Sequence, residues 1–392
     1  MDFKRVYVDS EKKPKKYNYI PAGSETNLRE YKYHGSDTSI TYNYLLSPLA
    51  EFLVKFFPKW ISPNAITAAG CACSVSTYLV TVYICGRDTE CRIPNYWILV
   101  SAVLYFGWLI LDNIDGKQAR RIQLSSPLGM VFDHQVDALH ATITPAFLAQ
   151  AFLAGKERLY LLAWFIGGTP FFFATWEELY VGKMEFGALN GASDGSLLMG
   201  LMMFALGIIG PDYFSGNYSE DIKYREIVFV IVLSSAVAIS VLNVYNVLQV
   251  SKKFEPYLKT FSFFYISLAL LLAIYLSPSD LWYNAGREVG LCIGFVFAKE
   301  IALIQIAHVT STKYKPLQWA NFVIISGMIL NTLTHAYGIN IFDEYRAQLV
   351  LSIAAFLNYA HLAIYLPLEF AEILEIPIFR VPRKIYTGEK QT

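Results

Sequence analysis

The chain alternates long apolar stretches with short polar connections. Ten mostly apolar stretches cover approximately residues 64–85, 96–114, 130–154, 158–182, 196–215, 226–250, 258–277, 287–308, 317–336 and 347–372. Each is near the roughly 20 residues that a helix needs to span hydrocarbon. Ahead of them, residues 42–58 mix Leu, Phe and Val with Glu51 and Lys55. That segment is short for a span and suits a helix lying in the interface. The pattern predicts an all-α, polytopic integral membrane protein with about ten transmembrane helices and an N-terminal interfacial helix. Residues 1–41 read as a cytosolic segment, 42–372 as one membrane domain, and 373–392 as a cytosolic tail.

Composition agrees. Hydrophobic residues make up 55% of the 392, aromatics 16% and charged residues 16%, with a mean hydropathy of +0.37. A soluble domain carries about 25% charged residues because its surface faces water, so an ordinary soluble domain is excluded. The 32 basic and 32 acidic residues cancel, and net charge therefore points to neither nucleic acid nor an acidic partner. The polar start, Met1-Asp2-Phe3-Lys4-Arg5, predicts no cleaved signal peptide and leaves insertion to the first span. The Lys12-Lys13-Pro14-Lys15-Lys16 run reads as a solvated segment, or more sharply as a weak attraction to anionic lipid.

An even span count puts both termini on one side. Their side then carries Lys117, Arg120, Arg121, Lys183, Lys252, Lys253, Lys313, Lys315, Arg380, Arg383 and Lys384, while the opposite loops carry Asp88, Glu90, Asp212, Asp280 and Asp343. The positive-inside rule makes the termini cytosolic, although Arg87, Arg92, Lys156, Arg158, Lys223, Arg225, Arg287 and Arg346 run against the bias. Asn217-Tyr218-Ser219 is a glycosylation triplet on the opposite side. The five cysteines show no metal-ligand spacing; Cys71 and Cys73 read as core, and Cys85 and Cys91 flank a short loop and could pair in an oxidising lumen.

One constellation carries chemistry. Leu111-Asp112-Asn113-Ile114-Asp115-Gly116-Lys117-Gln118-Ala119-Arg120-Arg121 ends the second span, and Gly129-Met130-Val131-Phe132-Asp133-His134-Gln135-Val136-Asp137 opens the third. Asp112 and Asp115, and Asp133 and Asp137, each share a helix face by spacing. A turn from Gly116 to Pro127 is expected to bring the pairs together. Ionised carboxylates at membrane depth need a cavity or a partner, and like charges this close would otherwise take up protons. Two hard divalent cations, Mg2+ or Mn2+, answer both problems and suit phosphoryl displacement. A buried acid network paired with Lys117, Arg120 and Arg121 is the plain alternative.

The full spacing, Asp-x2-Asp-Gly-x2-Ala-Arg-x8-Gly-x3-Asp-x3-Asp, is met at Asp112, Asp115, Gly116, Ala119, Arg120, Gly129, Asp133 and Asp137. It resembles the signature of the CDP-alcohol phosphotransferase family. Tyr31-Lys32-Tyr33-His34-Gly35-Ser36-Asp37-Thr38-Ser39, Pro63-Asn64-Ala65-Ile66-Thr67, Ala174-Thr175-Trp176-Glu177 and Asn190-Gly191-Ala192-Ser193-Asp194-Gly195 are similar to segments of its eukaryotic choline/ethanolamine phosphotransferase branch. Two positions depart from that branch: Met130 stands where it usually carries Glu, and Gln135-Val136 where it usually has Gly and Cys. Glu177 and Asp194 are candidates to replace the missing support.

The resemblance implies a catalytic core over about 60–250, with Asp112, Asp115, Asp133 and Asp137 as metal ligands. His134 is the candidate general base, its ordinary pKa near 6.5 suiting cytosolic pH, with Asp137 as the alternative base. Gly116 would admit backbone to the diphosphate, Arg120 and Lys117 would contact phosphate, and Ala119 and Gly129 would allow close packing. Asn64 would reach the cytidine or act as a plain helix cap. His140, His308, His335 and His361 read as structural. The implied reaction moves phosphocholine or phosphoethanolamine from CDP-choline or CDP-ethanolamine to diacylglycerol, releasing CMP. It also implies a homodimer in the endoplasmic reticulum or Golgi, with its site facing the cytosol. The rivals are an inositol-type phosphatidyltransferase of the same superfamily and a cation transporter that uses the acidic cluster as its ion site.

Overall fold

The structure, a computed structural model, describes residues 19–155, 158–188, 190–383 and residue 385. The Lys12–Lys16 run, Lys156, Lys384 and the end of the C-terminal tail lie outside the described residues.

The N-terminal segment carries α1 (Glu25–Glu30), the short strand β1 (Gly35–Asp37) and α2 (Ser47–Leu53). A π-helical turn over Tyr42–Leu46 precedes α2 and a 3-10 turn over Val54–Phe56 follows it, so the expected interfacial helix forms with breaks in its winding. Tyr44, Phe52, Phe56 and Trp60 are exposed along it, as befits a helix lying against acyl chains. Next come α3 (Pro63–Cys85), α4 (Asn95–Arg121), α5 (Pro127–Ala151), α6 (Leu159–Leu162) running into α7 (Trp164–Val181), and strand β2 (Met184–Phe186). The chain continues with α8 (Ser196–Ile209), α9 (Pro211–Ser215), α10 (Tyr224–Val250), α11 (Glu255–Leu258), α12 (Phe261–Tyr275) and α13 (Leu281–Asn284). It closes with α14 (Gly286–Thr310), α15 (Trp319–Ala336) and α16 (Glu344–Leu374).

Every predicted apolar stretch is therefore helical. Eight helical segments among the described residues are long and apolar enough to cross a membrane. Helices α5 and α15 are less apolar: α5 carries Asp133, His134, Gln135, Asp137 and His140, and α15 carries Asn321, Asn331, Thr332 and His335. Helix α5 packs inside the bundle against α3, α7 and α14, while α15 lies at its edge, turning Asn321, Asn331 and Thr332 inward and leaving Phe322, Val323 and Leu330 exposed.

The bundle has two distinct ends. At one, the N-terminal segment is laced across the last helices: Tyr19 N donates to Glu369 Oε2 at 2.9 Å and Asn27 Nδ2 to the Thr310 carbonyl at 2.9 Å. The ends of α4, α7 and α14 lie here with the starts of α3 and α5. At the other end, a disulfide joins Cys85 to Cys91. The loop it closes meets α5, α14 and α9: Gln150 Nε2 donates to the Cys91 carbonyl at 3.3 Å, Arg287 NH2 to the Asp88 carbonyl at 3.4 Å, and Arg92 pairs with Asp212 at 2.5 Å.

Strands β1 and β2 pair in parallel, with Gly35 opposite Met184 and Asp37 opposite Phe186. Asp37 extends the join, accepting from Ser193 Oγ at 2.6 Å and from Asn190 Nδ2 at 3.2 Å. Two motifs more than 150 residues apart, as Asp37 and Ser193 are, thus form one cap beside the mouth of the bundle.

Small residues let the helices approach. A Cβ on Gly167 of α7 would sit 2.2 Å from the Ala141 carbonyl oxygen of α5, a backbone atom with no room to yield. Gly167→Ala should therefore push α7 off α5, lowering stability by about 1–3 kcal/mol. Thermal unfolding in detergent checks this, and an unchanged Tm would refute the tight crossing.

Candidate active site

Two Ser-Pro steps place the starts of the helices that frame the site. Ser62 caps α3, its Oγ accepting from Ala65 N at 3.2 Å, and Ser126 caps α5, its Oγ accepting from Gly129 N at 3.2 Å. Pro63 and Pro127 occupy the first helical positions, where a missing N–H costs nothing. Both amino-terminal helix ends face the same region, and such ends favour anions. Asn64 Oδ1 lies 3.5 Å from where a Cβ of Gly129 would be, so the two helix starts nearly touch. The Asn64 amide also donates to the Ile378 carbonyl at 2.8 Å, tying in the segment after α16.

Helix α4 does not stop at Gly116. It runs to Arg121, and the turn to α5 is shorter than the one the sequence reading drew from Gly116 to Pro127. The residues after Gly116 explain this, because most of them fasten the interfacial segment instead of turning. Lys117 Nζ donates to Ser47 Oγ at 2.9 Å and to Glu51 Oε1 at 3.1 Å. Through that hydrogen bond Lys117 holds the Glu51 carboxyl below the usual carboxylate range. Gln118 Nε2 donates to the Pro58 and Ile61 carbonyls at 3.0 and 3.1 Å, and Arg121 NH1 to the Val54 and Phe57 carbonyls at 2.7 Å each. Arg120 differs: it is exposed, with one guanidinium nitrogen 3.4 Å from where a Gly116 Cβ would be. Ala119 is buried.

Carboxylate oxygens of Asp112, Asp133 and Asp137 lie within 4.8 Å of one another. Asp115 stands beside them, close to Asp112 and Asp133, and accepts a short hydrogen bond from Thr67 Oγ1 of α3. Asp133 Oδ1 and Asp137 Oδ1 are buried and receive no hydrogen bond from the described residues. Oxygens left bare this way, with like charges crowded around them, form a donor set suited to a hard divalent cation.

His134 follows Asp133 on α5. Its Nδ1 lies 3.0 Å from the Met130 carbonyl, one helical turn back, so Nδ1 carries the proton and Nε2 keeps its lone pair. Nε2 faces Glu178 Oε2 at 3.9 Å. Phe171, two turns before Glu178 on α7, packs its ring 6.3 Å from the imidazole. Glu177 points elsewhere, accepting from Asn246 Nδ2 at 2.9 Å, and Asp194 accepts from Asn190 N at 3.0 Å. The carboxylate near His134 is thus one residue beyond the Glu177 that the sequence suggested. His308, read as structural, also reaches this carboxylate. His140 does serve structure: it stacks on Trp108 at 3.3 Å between centroids and meets Ser74 Oγ at 2.6 Å.

Tyr33, from the segment that leads into β1, lines the mouth. Desolvation there, with Glu178 and Asp133 nearby, raises its phenol above the usual value. The hydroxyl folds back so closely over Gly35 that a Cβ at that position would overlap it.

Similarity to known proteins matches this geometry. The profile of the CDP-alcohol phosphatidyltransferase family matches residues 60–204, the stretch that holds all four aspartates. The chain is 28% identical over 390 residues to choline/ethanolaminephosphotransferase 2 of Arabidopsis thaliana, covering 93% of this chain and 99% of that one. It is 26% identical over 320 residues to choline/ethanolaminephosphotransferase 1 of Saccharomyces cerevisiae, covering 76% and 80%. It is also 26% identical over 325 residues to ethanolaminephosphotransferase 1 of Homo sapiens, covering 77% and 80%.

A cation held by these aspartates should stabilise the fold by mass action. Added Mn2+ is expected to raise the Tm of the wild type and to leave Asp133→Asn unmoved; an equal shift in both proteins would rule out Asp133 as a ligand.

Proposed function

We propose that the chain, which matches the CDP-alcohol phosphatidyltransferase profile over residues 60–204, is a member of that family and transfers phosphoethanolamine or phosphocholine from CDP-ethanolamine or CDP-choline to diacylglycerol. The observation that carries the reading is the bare carboxylate cluster of Asp112, Asp133 and Asp137 set beside an imidazole with a free Nε2.

Asp112, Asp115, Asp133 and Asp137 would hold two divalent cations, Mg2+ or Mn2+. When bound, these ions supply charge neutralisation at the diphosphate and at the departing CMP oxygen. The remaining work belongs to the chain. Arg120, lying exposed over Gly116, offers paired N–H donors to phosphate oxygens, and Gly116 leaves backbone accessible there. The starts of α3 and α5, with Asn64 and Gly129, receive the nucleotide side of the donor. Lys117 supports the site from outside by holding α2 through Glu51.

His134 Nε2 takes the proton from the 3-hydroxyl of diacylglycerol as that oxygen bonds to the phosphorus bearing the amino alcohol. The bond from that phosphorus to the bridging oxygen breaks, and CMP departs with the electron pair. Glu178 stabilises the imidazolium that results, supplying the carboxylate that the family usually carries at the position of Met130.

The same reading puts the active-site end of the bundle in the cytosol. Basic residues cluster there, and the Cys85–Cys91 disulfide lies at the opposite end, where an oxidising lumen would preserve it. Residues 1–41 and 373–392 then lie with the cytosolic end of the 42–372 membrane domain. An endoplasmic reticulum or Golgi location and a homodimer rest on the resemblance to the choline/ethanolamine branch.

Purified protein given labelled CDP-ethanolamine or CDP-choline, diacylglycerol and Mg2+ should release CMP and form the matching phospholipid. Excess EDTA should stop it. His134→Ala should lower kcat by about 10²–10⁴ with donor KM little changed. A His134→Ala enzyme as fast as the wild type would move the base to Asp137, and absence of CMP release by the wild type would sink the reaction itself. For orientation, cysteines introduced at Lys253 and Ser215 should react oppositely with a membrane-impermeant label added from the cytosolic side; equal reactivity would refute the topology.

A further inference from the structure

Helix α14 lies outside residues 60–204, yet it packs against α5 and α7 in the middle of the bundle. Two of its side chains meet Glu178. Gln305 Nε2 donates to Glu178 Oε2 at 2.8 Å, and His308 Nε2 lies 3.7 Å from Glu178 Oε1. Gln305 and the Glu178 side chain are both fully buried. From the other side, His134 Nε2 faces the same carboxylate at 3.9 Å.

The contacts close on themselves. His308 Nε2 is 3.2 Å from the Tyr31 hydroxyl, and that hydroxyl donates to Met130 Sδ at 2.9 Å. The Met130 carbonyl then accepts a hydrogen bond from His134 Nδ1–H at 3.0 Å. Tyr31, Met130, His134, Glu178 and His308 thus form a ring of groups from the N-terminal segment, α5, α7 and α14. Within it, the Gln305 amide makes the one close hydrogen bond to the Glu178 carboxylate among the described residues. A buried carboxylate with a single strong donor takes its orientation from that donor.

We propose that Gln305 is a positioning residue, which fixes the Glu178 carboxylate toward His134 Nε2, so that α14 completes the catalytic centre from outside the family-matched segment. The inference rests on the phosphotransferase reading given above. It assigns the aligning of the base to a helix that contributes neither a metal ligand nor a group of the signature.

Kinetics of the full-length protein in lipid nanodiscs, with whichever cytidine donor the wild type turns over faster, test the proposal. Gln305→Leu should lower kcat roughly 10–100-fold, the usual cost of removing an outer partner, while KM for the donor and the Mn2+ thermal shift stay as in the wild type. The decisive variant exchanges the pair, Glu178→Gln with Gln305→Glu. It restores the buried amide–carboxylate hydrogen bond but moves the carboxylate onto α14, away from His134, and should remain as slow as Gln305→Leu. Recovery of wild-type kcat in the exchanged pair would show a purely structural contact and overturn the proposal. So would an unchanged kcat in Gln305→Leu, or a loss confined to KM. If His134→Ala is slow but Gln305→Leu is not, only the positioning role fails; a wild type inert toward both donors removes the phosphotransferase reading, and this inference with it.

Discussion

Carboxylates set at the edge of hydrocarbon are tolerable only where something takes up their charge, and much of this fold is organised around that requirement. Asp112, Asp115, Asp133 and Asp137 come from two helices that must end side by side. Thr67 of α3 satisfies one oxygen of Asp115, while buried oxygens of Asp133 and Asp137 go without protein donors. Leaving a buried acceptor bare costs about 1–3 kcal/mol and more when it is charged. Two such oxygens in one cluster favour counter-charge from outside the protein. The aspartates form a socket more than an internal salt-bridge network, because Lys117 and Arg121 are committed elsewhere.

That commitment shows in the residues after Gly116. Four polar side chains follow in one stretch, and sequence alone offers Lys117 and Arg120 to phosphate and says nothing of Gln118. The structure divides them by helical phase. Lys117, Gln118 and Arg121 reach outward to Glu51 and to backbone carbonyls around α2, and Arg120 stays over Gly116. The interfacial helix is consequently tied to the same helical turn that holds Asp115. Any movement of α2 in the membrane surface would be felt at the site through a few hydrogen bonds.

The apolar periods placed helices at all ten stretches, because a run of about 20 apolar residues has few alternatives in a bilayer, and eight of these are long and apolar enough to cross a membrane. The metal cluster was legible for a related reason: Asp-x2-Asp and Asp-x3-Asp each fix a helix face. What stayed hidden was pairing between distant segments. Nothing in Tyr31–Ser39 announces a parallel strand against Met184–Phe186, since three-residue strands carry no periodicity. Glu178 was hidden behind Glu177 because phase on α7 depends on which neighbours bury it. His308 looked like an isolated histidine for the same reason. The winding of α4 through Gly116 was misjudged because the partners that stabilise its last turn lie some 60 residues upstream in sequence, at Pro58 and Val54.

The position of Met130 joins these threads. A carboxylate there, one turn before His134, would project from the same helix as the imidazole and would need no outside support. With methionine in its place, the side chain lies against the Tyr31 hydroxyl at 2.9 Å and only its backbone carbonyl serves His134. The carboxylate nearest the imidazole then comes from a different helix, and a group on another helix keeps its aim only if both helices are held in register. Gly167 allows α7 to press against α5, and α14 braces the far side of Glu178 through Gln305. Losing a local carboxylate therefore transfers the burden of alignment from one helical turn to the packing of three helices. On that argument, substitutions deep in the α5–α7–α14 contact should weaken chemistry before they weaken nucleotide binding.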